Sequence, residues 1–319
     1  MAVLSVVIPA YNMEQWLAPA IESCLYQTHR DVEVLVVNDG STDKSGAIAD
    51  RYAKLDSRVR HIYQTNAGSG AARQKGQDEA TGDFITWLDA DDFLAPHAAK
   101  VMLETAERDK VDLVCGNATV FSDKTFNTRH YFPHPAASRL NFADAPRYWK
   151  SKVLWRWIFS LPFLRTGKDG APFTHASFKL GQDVCFMFEV LPRVEAFSQC
   201  RENVYFFRQE HKSAHSDIET CVEHELAHFI AVKQLLLGHK TPQIKPLIKY
   251  LNENYWRDVK AFAPRLSPHV GLYNEKNAIP LEQPENFWQT RALILGQELF
   301  DGLDPQWFSE EFLAPELKP

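Results

Sequence analysis

Apolar runs alternate with stretches of helical spacing through the first third of the chain. The runs are rich in β-branched residues, as expected for strands buried on both faces of a sheet. They cover residues 3–8, 32–37, 59–63, 84–88 and 113–115. Between them, apolar side chains recur every three or four positions over residues 16–25 and 48–55, which is typical of one helix face. The alternation predicts an α/β fold with parallel strands, right-handed crossovers and helices on both faces of the sheet.

Polar clusters follow three of these predicted strands. They occupy residues 9–12, 38–41 and 89–92. In parallel sheets, ligands bind beyond the carboxyl ends of the strands. The sequence therefore predicts that the three clusters meet at one edge of the sheet and form a site there.

The regular alternation fades after about residue 116. Residues 122–180 are rich in aromatic residues, Pro and His without a clean period, which favours irregular, substrate-facing structure. Helical spacing resumes near residue 217 and continues through much of the last third, so the C-terminal region is predicted to be α-helical.

Composition narrows the classes of partner and the compartment. The 319 residues carry a formal net charge of −6, which argues against nucleic acid as a partner. The five cysteines include no CxxC pair, which favours a reducing cytoplasm. We expect neither a signal peptide nor a membrane span, because the first residues have no basic region and no apolar run reaches about 18 residues.

Asp89-Ala90-Asp91 places two carboxylates directly after an apolar run. Carboxylate oxygens suit Mg²⁺ or Mn²⁺, which usually also bind phosphate oxygens of a substrate and water. The motif therefore predicts a metal site that takes a phosphorylated ligand. The alternative is a solvated acidic turn in which Asp92 caps the next helix.

Four segments in this order resemble the inverting glycosyltransferase family 2. They are SVVIPAYN at 5–12, VNDGSTD at 37–43, NAGSGAAR at 66–73 and GDFITWLDADD at 82–92. The resemblance covers roughly the first 115 residues and implies the GT-A fold, a Rossmann-like and mostly parallel sheet flanked by helices, to which the helical spacing of the last third adds an α-helical C-terminal extension. Together they predict three parts: a nucleotide-sugar-binding half over 1–115, an acceptor-binding half over 116–215 and an α-helical region over 216–319.

The resemblance assigns a nucleotide-sugar site to the loops after the strands. Its residues would be Pro9, Ala10, Tyr11, Asn12, Asp39, Asn66, Gly68, Arg73, Asp89 and Ala90. Tyr11 would lie against the nucleobase, and Asp39 would accept a hydrogen bond from it. An aspartate suits uracil because it accepts from the ring N3–H, so we expect a UDP-sugar.

The diphosphate and its metal ion are expected beside the next helix. Gly68 precedes a predicted helix that carries Arg73, and free backbone amides, the helix dipole and a cation together favour a diphosphate. The resemblance places Asp91 on the metal, Mn²⁺ or Mg²⁺, and Asp89 near the ribose and the metal. A late histidine, His211, is a further candidate ligand.

Sugar transfer in an inverting enzyme is a direct displacement at the anomeric carbon of the donor. It also needs a base, because the acceptor hydroxyl must lose its proton as the diphosphate leaves. In the family the base is the Asp of a Gly-Glu-Asp segment, which matches Gly181-Gln182-Asp183 here. Asp183 is therefore the candidate base, while Gln182 departs from the pattern. The alternative for Asp183 is a carboxylate favoured only by the helix dipole. The expected function is inverting hexosyl transfer from a UDP-sugar to a hydroxyl of a saccharide or glycoconjugate, with a lipid-linked acceptor as one alternative.

Three rival functions are weighed beside this one. His224, Glu225 and His228 form a His-Glu-x-x-His motif, the spacing of zinc hydrolases. A nucleotidyltransferase would need a Gly-rich loop where residues 9–12 stand. A nucleotide-sugar-binding module without activity is the third rival.

The aromatic segment 155–164 has two interpretations. It either fills the core or makes a peripheral contact with the inner face of the membrane. Trp149, Trp155 and Trp157 are also candidates to stack on an acceptor sugar.

Overall fold

A computed structural model describes residues 2–125, 127–141, 148, 153–167, 172–175, 182–190 and 193–209. The strands are β1 Leu4–Ala10, β2 Val32–Asp39, β3 Val59–Gln64, β4 Phe84–Trp87, β5 Phe93–Leu94, β6 Leu113–Phe121, β7 Thr128–Tyr131, β8 Ala137–Leu140, β9 Trp157–Ser160 and β10 Phe197–Arg208. The helices are α1 Leu17–Leu25, α2 Ser45–Leu55, α3 Ser69–Glu79, α4 Ala98–Asp109, α5 Leu161–Thr166 and α6 Gln182–Val190.

The strands form one mixed sheet in the order β3-β2-β1-β4-β9-β6-β10-β5, with β7 paired to β6 and β8 paired to β10. The first four strands of this order are parallel to one another, which confirms the α/β alternation predicted for the first third. Antiparallel pairs enter with β9, which lies between β4 and β6, and with β5, which pairs with β10. The sheet therefore has a parallel half and a mixed half.

The parallel strands are buried because helices cover them. The side chains of residues 34–37 in β2 are fully buried, and so are Ile21 and Cys24 on the inner face of α1. Helix α3 approaches β1 closely at Gly76, where an added Cβ would lie 2.2 Å from Cγ1 of Val7. A glycine at this position therefore lets the second half of α3 pack closely against the middle of β1.

The segment 122–180 contains more regular structure than its sequence predicts, since β7, β8, β9 and α5 all lie within it. In β9, Trp157 and Phe159 are fully buried, and Trp155 just before it is 7% exposed. These residues fill the core, which confirms the core interpretation for them and leaves neither Trp155 nor Trp157 available to a membrane or an acceptor sugar. Trp149 lies outside the described residues. In the described part of the chain, no helix has the length and apolar character needed to cross a membrane.

Several predicted features lie outside the described residues. They are His211, the motif of His224, Glu225 and His228, and the helical region 216–319. Strand β6 runs across the predicted boundary between residues 115 and 116, so the two halves share one sheet.

Candidate active site at the carboxyl ends of the parallel strands

Three neighbouring strands bring the predicted site residues to one edge of the sheet. Strand β1 lies between β2 and β4 and is parallel to both. Tyr11 follows the last residue of β1, Asp39 is the last residue of β2, and Asp89 lies just after the end of β4. The structure therefore places the predicted nucleobase, ribose and metal residues on the same rim.

The loop after β1 is fixed to the loop after β2. Asn12 has a left-handed backbone with φ 54, and its Oδ1 accepts from the backbone N of Thr42 at 2.9 Å. The backbone N of Asn12 in turn donates to Oγ of Ser41 at 3.1 Å. Tyr11 lies between the buried Ala10 and Asn12, and it is 46% exposed. Pro9, before Ala10, is half-buried. The Tyr11 ring offers an open aromatic face at the rim.

Asp39 is an anchor for the loop before α3, a role that the sequence did not indicate. It is 3% exposed. Its Oδ1 accepts from Gln64 Nε2 at 2.7 Å and from the backbone N of Ala67 at 2.8 Å, and its Oδ2 accepts from the backbone N of Gly68 at 2.9 Å. Because a carboxylate has about four acceptor positions, the described residues leave one position on Oδ2 unfilled.

Gly40 allows this loop to lie against the end of β2. Its backbone has φ 72, and an added Cβ would lie 2.8 Å from the backbone N of Asn66. Any other residue would therefore be strained and would also push Asn66 away. The exposed Asn66 and the φ 90 of Gly68 place the backbone that leads into α3 at the rim.

Arg73 on α3 is the most distinctive polar group of the site. It is 9% exposed, and its NH2 donates to Asp89 Oδ1 at 3.0 Å. The Nε and NH1 atoms are buried and have no hydrogen-bond partner among the described residues. Buried polar groups are nearly always satisfied in folded proteins, and a guanidinium is matched best by a carboxylate or phosphate. The two nitrogens of Arg73 therefore suit a carboxylate or a phosphate as a partner.

The acidic turn after β4 holds three carboxylates in different environments. The Asp89 side chain is 30% exposed, Asp91 is half-buried, and Asp92 is 2% exposed. Burial raises the pKa of Asp92 well above its ordinary value, and the charges of Asp91 and Asp89 raise it further. Asp92 does not cap the next helix, whose N-cap is His97, so the capping role in that alternative is wrong.

The carboxylates of the acidic turn suit a cation whose coordination is completed by phosphate oxygens of a bound ligand. Within the described ranges, no group of three or more His, Cys, Asp or Glu side chains is arranged to hold a metal. Mg²⁺ and Mn²⁺ are commonly held by one or two carboxylates plus phosphate oxygens and water. Asp89 and Asp91, next to the anion-seeking Arg73, fit that arrangement. Ala90 between them is buried at 3% exposure.

Helix α6 begins beside the start of α3. The side-chain amide of Gln182 donates to Oγ of Ser69, the first residue of α3. Asp183 follows in the first turn of α6 and is half-buried. One turn later Phe186 packs edge-on against Trp87 of β4, with 5.3 Å between the ring centroids. The candidate base is thus carried by a helix that packs on both α3 and β4.

His175 is a site residue that no sequence signal indicated. Its ring stacks on Phe186 at 4.2 Å and meets Trp87 edge-on at 4.8 Å. Burial lowers the pKa of His175 well below its usual range, and the nearby charge of Arg73 lowers it further. The imidazole is therefore neutral. Gln182, 5% exposed, is neutral as well.

Comparison with known proteins gives one consistent family. Residues 5–180 match the model of glycosyl transferase family 2. An uncharacterized glycosyltransferase, EpsJ of Bacillus subtilis, is 39% identical over 131 residues, which are 41% of this chain and 37% of EpsJ. The glycosyltransferase GlyA of Streptococcus pneumoniae is 34% identical over 120 residues, which are 38% of this chain and 17% of GlyA. The chain thus matches well under half the length of these relatives.

A solved structure shares the fold. Residues 1–349 of S. aureus TarS, crystallised in complex with UDP-GlcNAc, superpose with a TM-score of 0.72 over 96% of this chain and 82% of that chain, at 16% sequence identity. This likeness supports the GT-A architecture of the mixed sheet. The family match spans more than half of the chain and contains every motif of the strand-end rim, so the chain belongs to glycosyl transferase family 2.

Proposed function

We propose that the chain is an inverting glycosyltransferase that moves a sugar from a UDP-sugar to a hydroxyl acceptor with the help of Mn²⁺ or Mg²⁺. The observation that carries the proposal is Arg73, a buried guanidinium beside the carboxylate of Asp89, two of whose nitrogens have no hydrogen-bond partner in the part of the chain that the structure describes. A nucleotide diphosphate supplies the missing acceptors. The crystallised complex of TarS with UDP-GlcNAc supports a nucleotide-sugar donor.

The loops after β1 and β2 would bind the nucleoside. The exposed ring of Tyr11 offers a stacking face for the base. The last acceptor position of Asp39 would receive the N3–H of uracil, and Asp89 would contact the ribose. Because Asp39 also holds the loop before α3, recognition of the base would be linked to the position of the diphosphate site.

The start of α3 and the acidic turn would bind the diphosphate. Arg73 would donate from Nε and NH1 to phosphate oxygens, and the backbone around Asn66 and Gly68 would line the same place. Asp91, together with Asp89, would hold the cation. When bound, the cation would neutralise the negative charge that develops on the departing diphosphate.

Asp183 would act as the general base. Its carboxylate would take the proton of the acceptor hydroxyl while that oxygen attacks the anomeric carbon and the bond to the UDP oxygen breaks. Attack from the side opposite the leaving group inverts the anomeric centre. We assign donor binding to residues 1–115 and acceptor binding to 116–215, with a saccharide or glycoconjugate as the acceptor.

A donor panel tests this function. The full chain is incubated with sugars linked to UDP, GDP, dTDP and CMP, with Mn²⁺ or with EDTA, and release of each nucleotide is measured. We expect release from a UDP-sugar in Mn²⁺ and little in EDTA. Release only from a purine nucleotide sugar, or release that is the same in EDTA, would contradict the proposal.

Arg73→Met is expected to weaken UDP binding by about 10–100-fold, since a hydrogen bond to a charged group contributes about 1.5–3 kcal/mol. Calorimetric titration of UDP measures the change. Arg51→Met, which removes an exposed arginine of α2, is the matched control and should bind UDP like the wild type. Equal UDP affinity in both variants would show that Arg73 does not contact the nucleotide.

A further inference from the structure

The acidic turn is held from behind by the last residues of β10. The turn is closed by a hydrogen bond from the backbone N of Asp92 to the carbonyl O of Asp89 at 3.0 Å. The chain then enters β5, where Leu94 lies opposite Tyr205 and Phe93 lies opposite Phe206 in antiparallel pairing. The same register, carried two residues further, brings Arg208 opposite Asp91.

Tyr205 bonds to both ends of the turn through one hydroxyl. The hydroxyl donates to Asp92 Oδ2 at 2.7 Å and accepts from the backbone N of Asp89 at 3.2 Å. The residue is fully buried, and Trp155 stacks on its ring at 4.2 Å. The hydroxyl is therefore fixed in place by packing that does not involve the turn.

Arg208 bonds to the middle and the end of the turn. Its Nε donates to the carbonyl O of Asp91 at 2.7 Å, and its backbone N donates to Asp92 Oδ1 at 2.7 Å. The guanidinium lies over the rings of Trp16 at 4.2 Å and Phe121 at 4.6 Å, and NH1 pairs with Asp123. Arg208 thus links the acidic turn to the start of α1 and to the end of β6.

These contacts fix the backbone that carries Asp89 and Asp91. They reach the N–H of Asp89, the carbonyl of Asp91 and both carboxylate oxygens of Asp92. Burying a carboxylate as deeply as that of Asp92 is unfavourable unless hydrogen bonds compensate. Asp92 therefore depends on the hydrogen bonds from Tyr205 and Arg208. Two carboxylates that share one cation need fixed spacing, because loosely held ligands lose affinity.

We propose that Tyr205 and Arg208, the β10 clamp, are positioning residues that hold Asp89 and Asp91 at the spacing needed by a divalent cation with a bound diphosphate. This inference rests on the proposed function. The clamp touches neither the nucleotide nor the reacting atoms; it acts through the turn. Its loss should therefore reduce binding that depends on the metal and leave metal-free nucleotide binding unchanged.

The test compares Tyr205→Phe and Arg208→Lys with Tyr131→Phe on β7 and Arg201→Lys on the exposed part of β10 as controls. UDP is titrated into each folded protein with Mn²⁺ and with EDTA. We expect the clamp variants to lose about tenfold in UDP affinity with Mn²⁺, because the loss of a group that orients metal ligands typically costs about 10–100-fold in metal affinity, and to match the wild type in EDTA. An equal loss in EDTA, or no loss in Mn²⁺, would overturn the clamp.

Hydrogen exchange gives a second readout that needs no ligand. The peptide covering residues 88–95 should exchange faster in Tyr205→Phe than in the wild type, while peptides from β1 and β2 should not change. Unchanged exchange over 88–95 would overturn the proposal. A wild-type chain whose UDP binding ignores Mn²⁺ would contradict the proposed function and the metal role of the clamp together, whereas an Mn²⁺-dependent wild type with unaffected variants would contradict the clamp alone.

Discussion

Asp183→Asn is expected to lower the rate of sugar transfer by about 10²–10⁴-fold, the range that a general base contributes. Asparagine has nearly the same shape but cannot accept the proton of the acceptor hydroxyl. Because the side chain would not contact the nucleotide, the affinity for UDP should not change. Transfer is measured at saturating donor by nucleotide release, and UDP binding is measured separately by calorimetry.

The control for this prediction is Glu189→Gln, which removes a carboxylate from the other end of α6. It should transfer sugar at close to the wild-type rate. If Asp183→Asn keeps full activity, the base lies elsewhere and Asp183 is only a carboxylate near a helix N-terminus. If the variant loses UDP binding in parallel with activity, its role is to position α6 against α3.

Asp91→Ala is expected to weaken Mn²⁺ binding in the presence of UDP by at least about 100-fold, more than the 10–100-fold that loss of an outer-sphere partner costs. The change removes a carboxylate that we propose to coordinate the ion directly. Transfer activity should fall with it at ordinary Mn²⁺ concentrations. Electron paramagnetic resonance measures free Mn²⁺ and gives the affinity without any turnover.

Asp31→Asn serves as the comparison for Asp91→Ala, because Asp31 is exposed at the opposite end of the sheet, before β2. It should bind Mn²⁺ and UDP like the wild type. An Asp91→Ala variant with wild-type Mn²⁺ affinity would rule out Asp91 as a ligand. Asp89 alone would then have to hold the cation.

Much of the parallel half of the sheet could be predicted from the sequence because its signals are local. A strand buried on both faces is an uninterrupted apolar run, as in residues 32–37, and the polar residue that follows marks the strand end. Parallel pairing then brings such ends together, which is why Tyr11, Asp39 and Asp89 meet at one rim in the structure. The resemblance to the family added expected roles, which remain predictions for the individual residues.

The residues that support the rim could not be predicted in this way. Tyr205 reaches Asp92 across more than a hundred residues of chain, and nothing near either residue marks the pairing. His175 lies in an irregular segment and is defined by the rings of Trp87 and Phe186, which come from two other elements. Contacts of this kind depend on tertiary packing rather than on local spacing.

Two sequence interpretations gave only part of the answer for a similar reason. Asp39 in an Asp-Gly pair indicates a turn, yet its carboxylate holds the loop before α3, which approaches only in the folded chain. The absence of periodicity over 122–180 suggested irregular structure, yet β9 lies there in the middle of the sheet. A short central strand buried on both faces has no alternating pattern to detect.

Calorimetric titration of UDP into the wild-type chain, with Mn²⁺ and then with excess EDTA, tests the central claim most directly. The claim is that Arg73 and the carboxylates of Asp89 and Asp91 form one site for a diphosphate and its cation. We predict binding with one UDP per chain in Mn²⁺ and an affinity at least about tenfold lower in EDTA. Equal affinity under both conditions, or no binding of UDP at all, would contradict the account.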